Sequence, residues 1–250
     1  MKQDKLIYGI HALVEALEAG REIDKIFLRR GLKSDEVQLI TSLARERVIP
    51  LQIVPEEKLN RITRKAHQGV VAFLCEIEYT QLEQLIPMIY DEGRMPFFVV
   101  LDGLTDVRNF GAIARTAGCA GADAIIIPER GSVSVTADAV KTSAGALLRL
   151  PVCRVSSIGS ALRSLQEHGI RVVTASEKAA RVYTEESLLP PLALVMGSES
   201  EGPSADTLRR SDSIVRIPQH GSIGSLNVSV AAGILIYEVL RQQSLSVSFD

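Results

Sequence analysis

The chain contains no tryptophan, and Phe and Tyr together make up only 4% of its 250 residues. A binding site of stacked aromatic rings is therefore not expected, so backbone groups and small side chains must carry most of the recognition. Cysteine is also scarce. Cys75, Cys119 and Cys153 are odd in number and far apart, with no CxxC pair. That spacing indicates neither a disulfide framework nor a zinc site, and each is expected as a small core residue. The four histidines, at 11, 67, 168 and 220, show no metal spacing, so no metal is expected. No apolar run approaches the ~18 residues of a membrane span, and the first twenty residues lack the apolar stretch of a signal peptide. A cytoplasmic protein without membrane contact is expected. GxGxxG and GxSxG are both missing, which speaks against a Rossmann dinucleotide site and a hydrolase elbow.

The remaining composition is that of a globular protein, with 46% apolar and 23% charged residues. The net charge of −2 argues against a simple electrostatic binder of nucleic acid, but the charge is uneven. Residues 1–75 hold 13 Lys/Arg against 10 Asp/Glu, a net of +3; the rest holds 15 against 20, a net of −5. Arg29, Arg30 and Lys33 form one basic cluster, and Arg61, Arg64 and Lys65 another. Such clusters can neutralise phosphates, although ordinary solvated surface accounts for any one of them equally well.

Hydrophobic spacing predicts helices at 8–19, 35–47 and 56–64, with strands at 23–28, 51–54 and 70–77. Ser34 is a plausible N-cap. These make a small α/β module over 1–77. A connector containing a helix is expected over 78–95, and a larger domain over 96–250. There, strand-like runs at 97–101, 124–127, 152–155, 171–175, 192–196 and 214–217 alternate with helices at 110–120, 137–147, 158–167 and 227–241. Such alternation implies a mostly parallel sheet covered on both faces. The tail at 245–250 is expected to be loosely ordered.

Ligands on parallel sheets sit beyond the carboxyl ends of the strands, and three such junctions stand out. After 97–101 comes Asn109-Phe-Gly-Ala-Ile-Ala-Arg-Thr-Ala117. Here Asn109 is expected at the helix start, Gly111 allows close backbone approach, and Arg115 lies in the second turn. After 192–196 comes Gly197-Ser-Glu-Ser-Glu-Gly202. This has the outline of a phosphate loop, but Pro203 stands where the lysine is needed. Glu199 and Glu201 would repel a triphosphate, so a cationic or neutral ligand fits better. The third junction is Ile217-Pro218, then Gly221-Ser-Ile-Gly-Ser-Leu-Asn227 leading into the last helix. It is a small-residue loop rich in free backbone groups, with Asn227 as an N-cap candidate.

In this order the three segments resemble the motifs of the SPOUT superfamily, closest to the TrmH-type RNA ribose 2′-O-methyltransferases. Tyr8-Gly-Ile-His-Ala-Leu-Val-Glu-Ala-Leu17 and His67-Gln-Gly-Val-Val-Ala72 resemble the RNA-binding module that precedes the catalytic domain in the bacterial 23S rRNA guanosine branch. The resemblance spans nearly the whole chain. It implies a trefoil-knotted C-terminal domain, a homodimer whose site the partner completes, and S-adenosylmethionine (SAM) as methyl donor. It places SAM against Met196, Gly197, Gly202, Ile217, Ser225 and Leu226. It gives Arg115, Asn109, Glu199, Ser225 and Asn227 to the catalytic centre. In that picture Arg115 grips a phosphate beside the target ribose. Asn109 orients Arg115 or the ribose, Glu199 holds the loop or the nucleotide, and Ser225 and Asn227 position the ribose and the SAM loop. Arg29, Arg30, Arg61, Arg64 and Lys65 are the candidate RNA contacts. Relatives often carry glycine where Ser200 stands, so a more restricted loop is expected there. The implied reaction is methylation of a 23S rRNA guanosine. Rivals are the same chemistry on transfer RNA or another rRNA site, a non-catalytic RNA-binding ribosome-assembly protein, and a purely structural α/β protein.

Overall fold

Uninterrupted apolar runs become strands buried on both faces. Phe97–Leu101 and Leu192–Met196 are buried at every residue, which requires helices above and below the sheet. The computed structural model describes residues 6–21, 23–221 and 224–246. It divides into two units, Met1–Glu78 and Tyr79–Asp250. Ser222 and tail residues 247–250 lie outside the described residues.

The first unit runs β1 (Leu6–Tyr8), α1 (Ile10–Glu18), β2 (Ile23–Arg29), α2 (Asp35–Glu46), β3 (Leu51–Val54), α3 (Glu56–Ile62) and β4 (Val70–Leu74). The sheet order is β1-β4-β2-β3. The β1/β4 and β2/β4 pairs are antiparallel, and β2/β3 is parallel. Ser34 does cap α2, its hydroxyl accepting from the Val37 N–H at 3.2 Å. One sheet face packs on Leu13, Leu17, Val37 and Ile40 of α1 and α2. The other packs on Leu59 and Ile62 of α3.

The second unit runs α4 (Leu82–Asp91), β5 (Phe97–Leu101), α5 (Val107–Cys119), β6 (Ala124–Pro128), α6 (Ala137–Thr142), β7 (Val152–Val155), α7 (Ile158–Glu167), β8 (Arg171–Ala175), β9 (Arg181–Val182), β10 (Leu192–Met196), α8 (Ala205–Arg210), β11 (Ser213–Arg216) and α9 (Val228–Ser246). Among the described residues its sheet has seven strands, all parallel, in the order β7-β6-β5-β10-β8-β11-β9. Helices α4 and α7 cover one face, over Phe98, Val100, Ala193 and Val195. On the other side α5 packs against α6 and α9, and α9 reaches β10.

Three expectations change. Segment 78–95 is not a linker. Leu82, Leu85, Ile86 and Ile89 recur at helical spacing and are buried in the core of the second unit. The helix expected over 137–147 stops at Thr142, because Ala144 and Gly145 both take positive φ, 51° and 83°; a short 3-10 turn, Ala146–Leu148, follows. Only Cys153 is a fully buried cysteine; Cys75 is partly exposed and Cys119 exposed. No helix among the described residues is long and apolar enough to cross a membrane.

Candidate active site at the strand ends

All seven strands point the same way, so their carboxyl ends share one edge. After β5 the chain moves outward to β6 and β7, then crosses to β8 on the far side, and β10 fills the middle. This reversal is where a parallel sheet opens a ligand crevice. A cavity of about 270 Å³ lies there. Met196, Gly197, Gly202, Ile217, Ser225 and Leu226 all line it.

The loop after β10 is a closed hairpin. Ser198 and Gly202 exchange backbone hydrogen bonds at 3.0 Å each. The Ser198 hydroxyl accepts from the Glu201 N–H at 3.2 Å. Any side chain at Gly197 would collide with the backbone of Gly202 and Pro203, so only glycine lets the hairpin fold onto the strand end. The base of the loop is pinned from β5. The Asp102 carboxylate accepts from the Ser204 N–H at 2.8 Å and from the Thr207 hydroxyl at 2.7 Å. Among the described residues, those combining a side chain with positive φ are Val48, Gln68 and Ala144. Ser200 is not one of them, so serine fits the loop without backbone strain.

Asp106, not Asn109, begins α5; its carboxylate accepts from the N–H groups of Arg108 and Asn109, both at 2.8 Å. Asn109 is thereby released from capping, and its amide joins the other two loops. Its Nδ2 donates to Glu199 Oε1. Its Oδ1 accepts from Asn227 Nδ2 at 3.1 Å. Asn227 does cap α9, accepting from the Ser229 N–H at 2.9 Å. One polar chain, Asn227–Asn109–Glu199, therefore connects all three sequence motifs, and Glu199 also lines the cavity.

Arg115 is not part of this group. It is exposed in the third turn of α5 and lines a separate depression of about 610 Å³ with Cys119, Ala144 and Arg149. Gly111 does serve close approach, but to α6. A Cβ there would lie 2.6 Å from the Thr142 Cβ. Sequence reasoning missed the loop after β8, where Ser176, Glu177 and Lys178 form a further wall of the cavity. The signal for it was the strand-end rule alone, since that loop has neither glycine nor a helix cap.

In the first unit, the Arg29 N–H donates to the Gly69 carbonyl at 2.8 Å, which joins the two loops that carry the basic clusters. Arg29 pairs with Glu56 at 3.2 Å. Arg30, Arg61 and Arg64 are exposed, and Lys65 sits over the Tyr8 ring. No group of three His, Cys, Asp or Glu among the described residues is placed to hold a metal ion.

The cavity suits a cation of nucleoside size. Small residues alternate in its lining with Met196, Ile217 and Leu226, and Glu177, Glu199 and Glu201 outnumber the one cation, Lys178. Fold and site define a parallel α/β protein with a strand-end ligand cavity, preceded by a small basic module. Residues 96–237 match the model of the SpoU rRNA methylase family, and residues 6–80 match that of the RNA 2′-O ribose methyltransferase substrate-binding domain. A Staphylococcus haemolyticus protein named for the TrmH family of tRNA/rRNA methyltransferases is 38% identical, over 96% of this chain and 97% of its own. A similarly named Bacillus subtilis protein is 36% identical, over 97% and 98%. The AdoMet-bound rRNA methyltransferase structure from Sinorhizobium meliloti has a TM-score of 0.60 at 26% identity, covering 95% of this chain and 87% of that one. AviRb from Streptomyces viridochromogenes, in complex with AdoMet, has a TM-score of 0.60 at 25% identity, covering 95% and 90%. The chain belongs to the SpoU/TrmH family of RNA methyltransferases.

Proposed function

We propose that this chain transfers a methyl group from SAM to the ribose 2′-hydroxyl of a guanosine in 23S rRNA. It works in the cytoplasm as a homodimer with the knotted topology that the resemblance implies. The observation that carries the reading is the Asn227–Asn109–Glu199 chain, which reaches at Glu199 the cavity lined by Gly197, Ile217 and Leu226. Residues far apart in sequence are fixed there by side-chain hydrogen bonds that neither the helices nor the sheet require.

SAM supplies the electrophilic methyl group, so the protein has to align atoms and handle one hydroxyl proton. Backbone at Gly197, Ile217 and Leu226 holds the cofactor, with Met196, Gly202 and Ser225 beside it. The carboxylates around the cavity favour its positive charge. Asn109 orients the ribose, Asn227 and Ser225 position the ribose and the SAM loop, and Glu199 fixes the β10 hairpin. Alignment of this kind contributes up to roughly 7–11 kcal/mol where geometry is ideal.

Arg115 grips the phosphate beside the target ribose. A guanidinium keeps its proton, so its part is electrostatic rather than that of a base. Its position apart from the cavity of its own chain supports action across a dimer. The same surface supports the dimer itself. Arg108, Ala112, Arg115 and Cys119 follow one another along α5 at helical spacing. On α9, Val230 and Tyr237 are each 51% exposed, and seven residues apart they share one helix face that a partner would cover.

The test is transfer of tritiated methyl from SAM to ribosomal RNA from cells lacking this protein. Wild type should label large-subunit RNA, and Arg115→Ala should lose at least about a hundredfold in turnover. Full turnover by the variant would remove Arg115 from the reaction. Label in transfer RNA alone would move the substrate, and no label in any RNA would leave a binding role in ribosome assembly.

A further inference from the structure

Aromatic residues are few, yet the first unit gathers three of them on one sheet face. Phe27 on β2 and Phe73 on β4 meet edge to face, with centroids 6.1 Å apart. Tyr8 on β1 belongs to the same cluster. Tyr8 pairs with Val71, and Phe73 lies two residues further along β4. That diagonal offset separates the two residues by about 7–8 Å, within reach of consecutive splayed nucleotides. The opposite face of the sheet carries α1 and α2, whereas this one carries only the seven-residue α3. Tyr8 and Phe73 remain partly exposed.

Every ring on this face has a lysine above it. Lys65 lies over Tyr8 at 5.0 Å, Lys25 over Phe73 at 5.5 Å and Lys58 over Phe27 at 4.9 Å. Lys58 and Lys65 are exposed. Lys25 is also paired with Asp24 at 3.7 Å, whereas the exposed ammonium groups of Lys58 and Lys65 hold their rings weakly and can exchange them for a phosphate. Rings that offer a stacking face beside cations that follow the backbone are what unpaired RNA needs from a protein. The charge distribution agrees. The first 75 residues carry +3 and the remainder −5, which favours this unit as the larger source of affinity for a polyanion.

We infer that this face is a platform for unpaired nucleotides of the RNA substrate. One base stacks on Tyr8 and the next on Phe73, while Lys58 and Lys65 move from the rings to the flanking phosphates. The inference rests on the reading of the chain as an RNA methyltransferase and adds to it the kind of RNA that the first unit selects: a single-stranded segment rather than a helix.

The experiment uses the full chain, a fluorescein-labelled 12-nucleotide oligouridylate and a 12-base-pair RNA duplex, read by fluorescence anisotropy without SAM. The single strand should bind more tightly than the duplex. Tyr8→Leu and Phe73→Leu should each weaken single-strand binding about five- to tenfold, while Tyr8→Phe keeps it. Lys58→Ala should lower the logarithmic salt slope by about 0.7. If a leucine variant fails to fold, Lys58→Glu and Lys65→Glu, both at exposed positions, should weaken binding at least about tenfold. Equal affinity across wild type, leucine and glutamate variants, or preference for the duplex, overturns the platform. Methyl transfer separates the two readings. Wild-type transfer with no rise in the RNA KM of Phe73→Leu overturns the platform alone. No wild-type transfer, with oligouridylate binding still dependent on Tyr8 and Phe73, overturns the enzyme and leaves the platform standing.

Discussion

Asn109 shows how one side chain can join three motifs. A carboxamide is a donor at one end and an acceptor at the other. Because Asp106 caps α5, both ends of Asn109 are available, one to Glu199 and one to Asn227. Asn109→Asp removes the donor and sets a second carboxylate against Glu199. The expected result is a fall in kcat of about ten- to a hundredfold. The SAM Kd, read by calorimetry, should change less than about threefold, since none of the six residues proposed to hold the cofactor is altered. An unchanged kcat would confine the hydrogen-bonded chain to a structural role. Much of this site is legible in the sequence, because glycine and cap residues at strand ends leave a signature. Gly197 is needed for space and Asn227 for capping. The loop of Ser176, Glu177 and Lys178 leaves none. The divergence of Arg115 from Asn109 is also in the spacing. Six residues at about 100° each leave them about 120° apart around the helix.

At the scale of elements, Glu186 holds the far edge of the larger sheet. Its buried carboxylate accepts from Arg171 on β8 at 3.1 Å, from Arg181 on β9, and from the Ser213 hydroxyl on β11 at 2.6 Å. Its carbonyl accepts from Gln242 on α9 at 3.0 Å. Burial alone would raise its pKa; the Ser213 hydroxyl and the two guanidinium groups outweigh it and hold the carboxyl below its ordinary 4.5. A depressed folded value means that the stabilisation is present above the unfolded value and is lost as pH falls through the folded one. Glu186→Gln should therefore cost about 1–3 kcal/mol at neutral pH. The gap in Tm between the two proteins should close as pH drops below about 4.5. A gap that stays constant from pH 7 to pH 3 would remove the carboxylate's charge from the stability of this edge. The long strands of this unit are readable as contiguous apolar runs because helices cover both faces. The two-residue β9 and the six-residue α8 are too short for any period to register. The early end of α6 depends on Ala144 taking a positive φ that side chains usually avoid.

At the scale of the whole molecule, the proposed function divides the work, with most phosphate affinity in the first unit and the cofactor in the strand-end cavity of the second. The boundary follows from packing. Tyr79 bridges to Val152 in parallel and lies under the Arg154 guanidinium at 3.9 Å. The Thr80 N–H donates to the Val152 carbonyl at 3.0 Å. With α4 buried over Phe98 and Val100, the second unit begins at Tyr79. A fragment of residues 79–250 should stay soluble, sediment as a dimer and bind SAM like the full chain. It should lose methyl transfer to structured rRNA, because the remaining chain carries a net negative charge and attracts RNA too weakly. A fragment of residues 96–250 lacks α4, exposes the apolar sheet face beneath it and should aggregate. Transfer by 79–250 at the full-length rate would place RNA recognition in the second unit. A soluble, SAM-binding 96–250 would show that α4 is dispensable for folding.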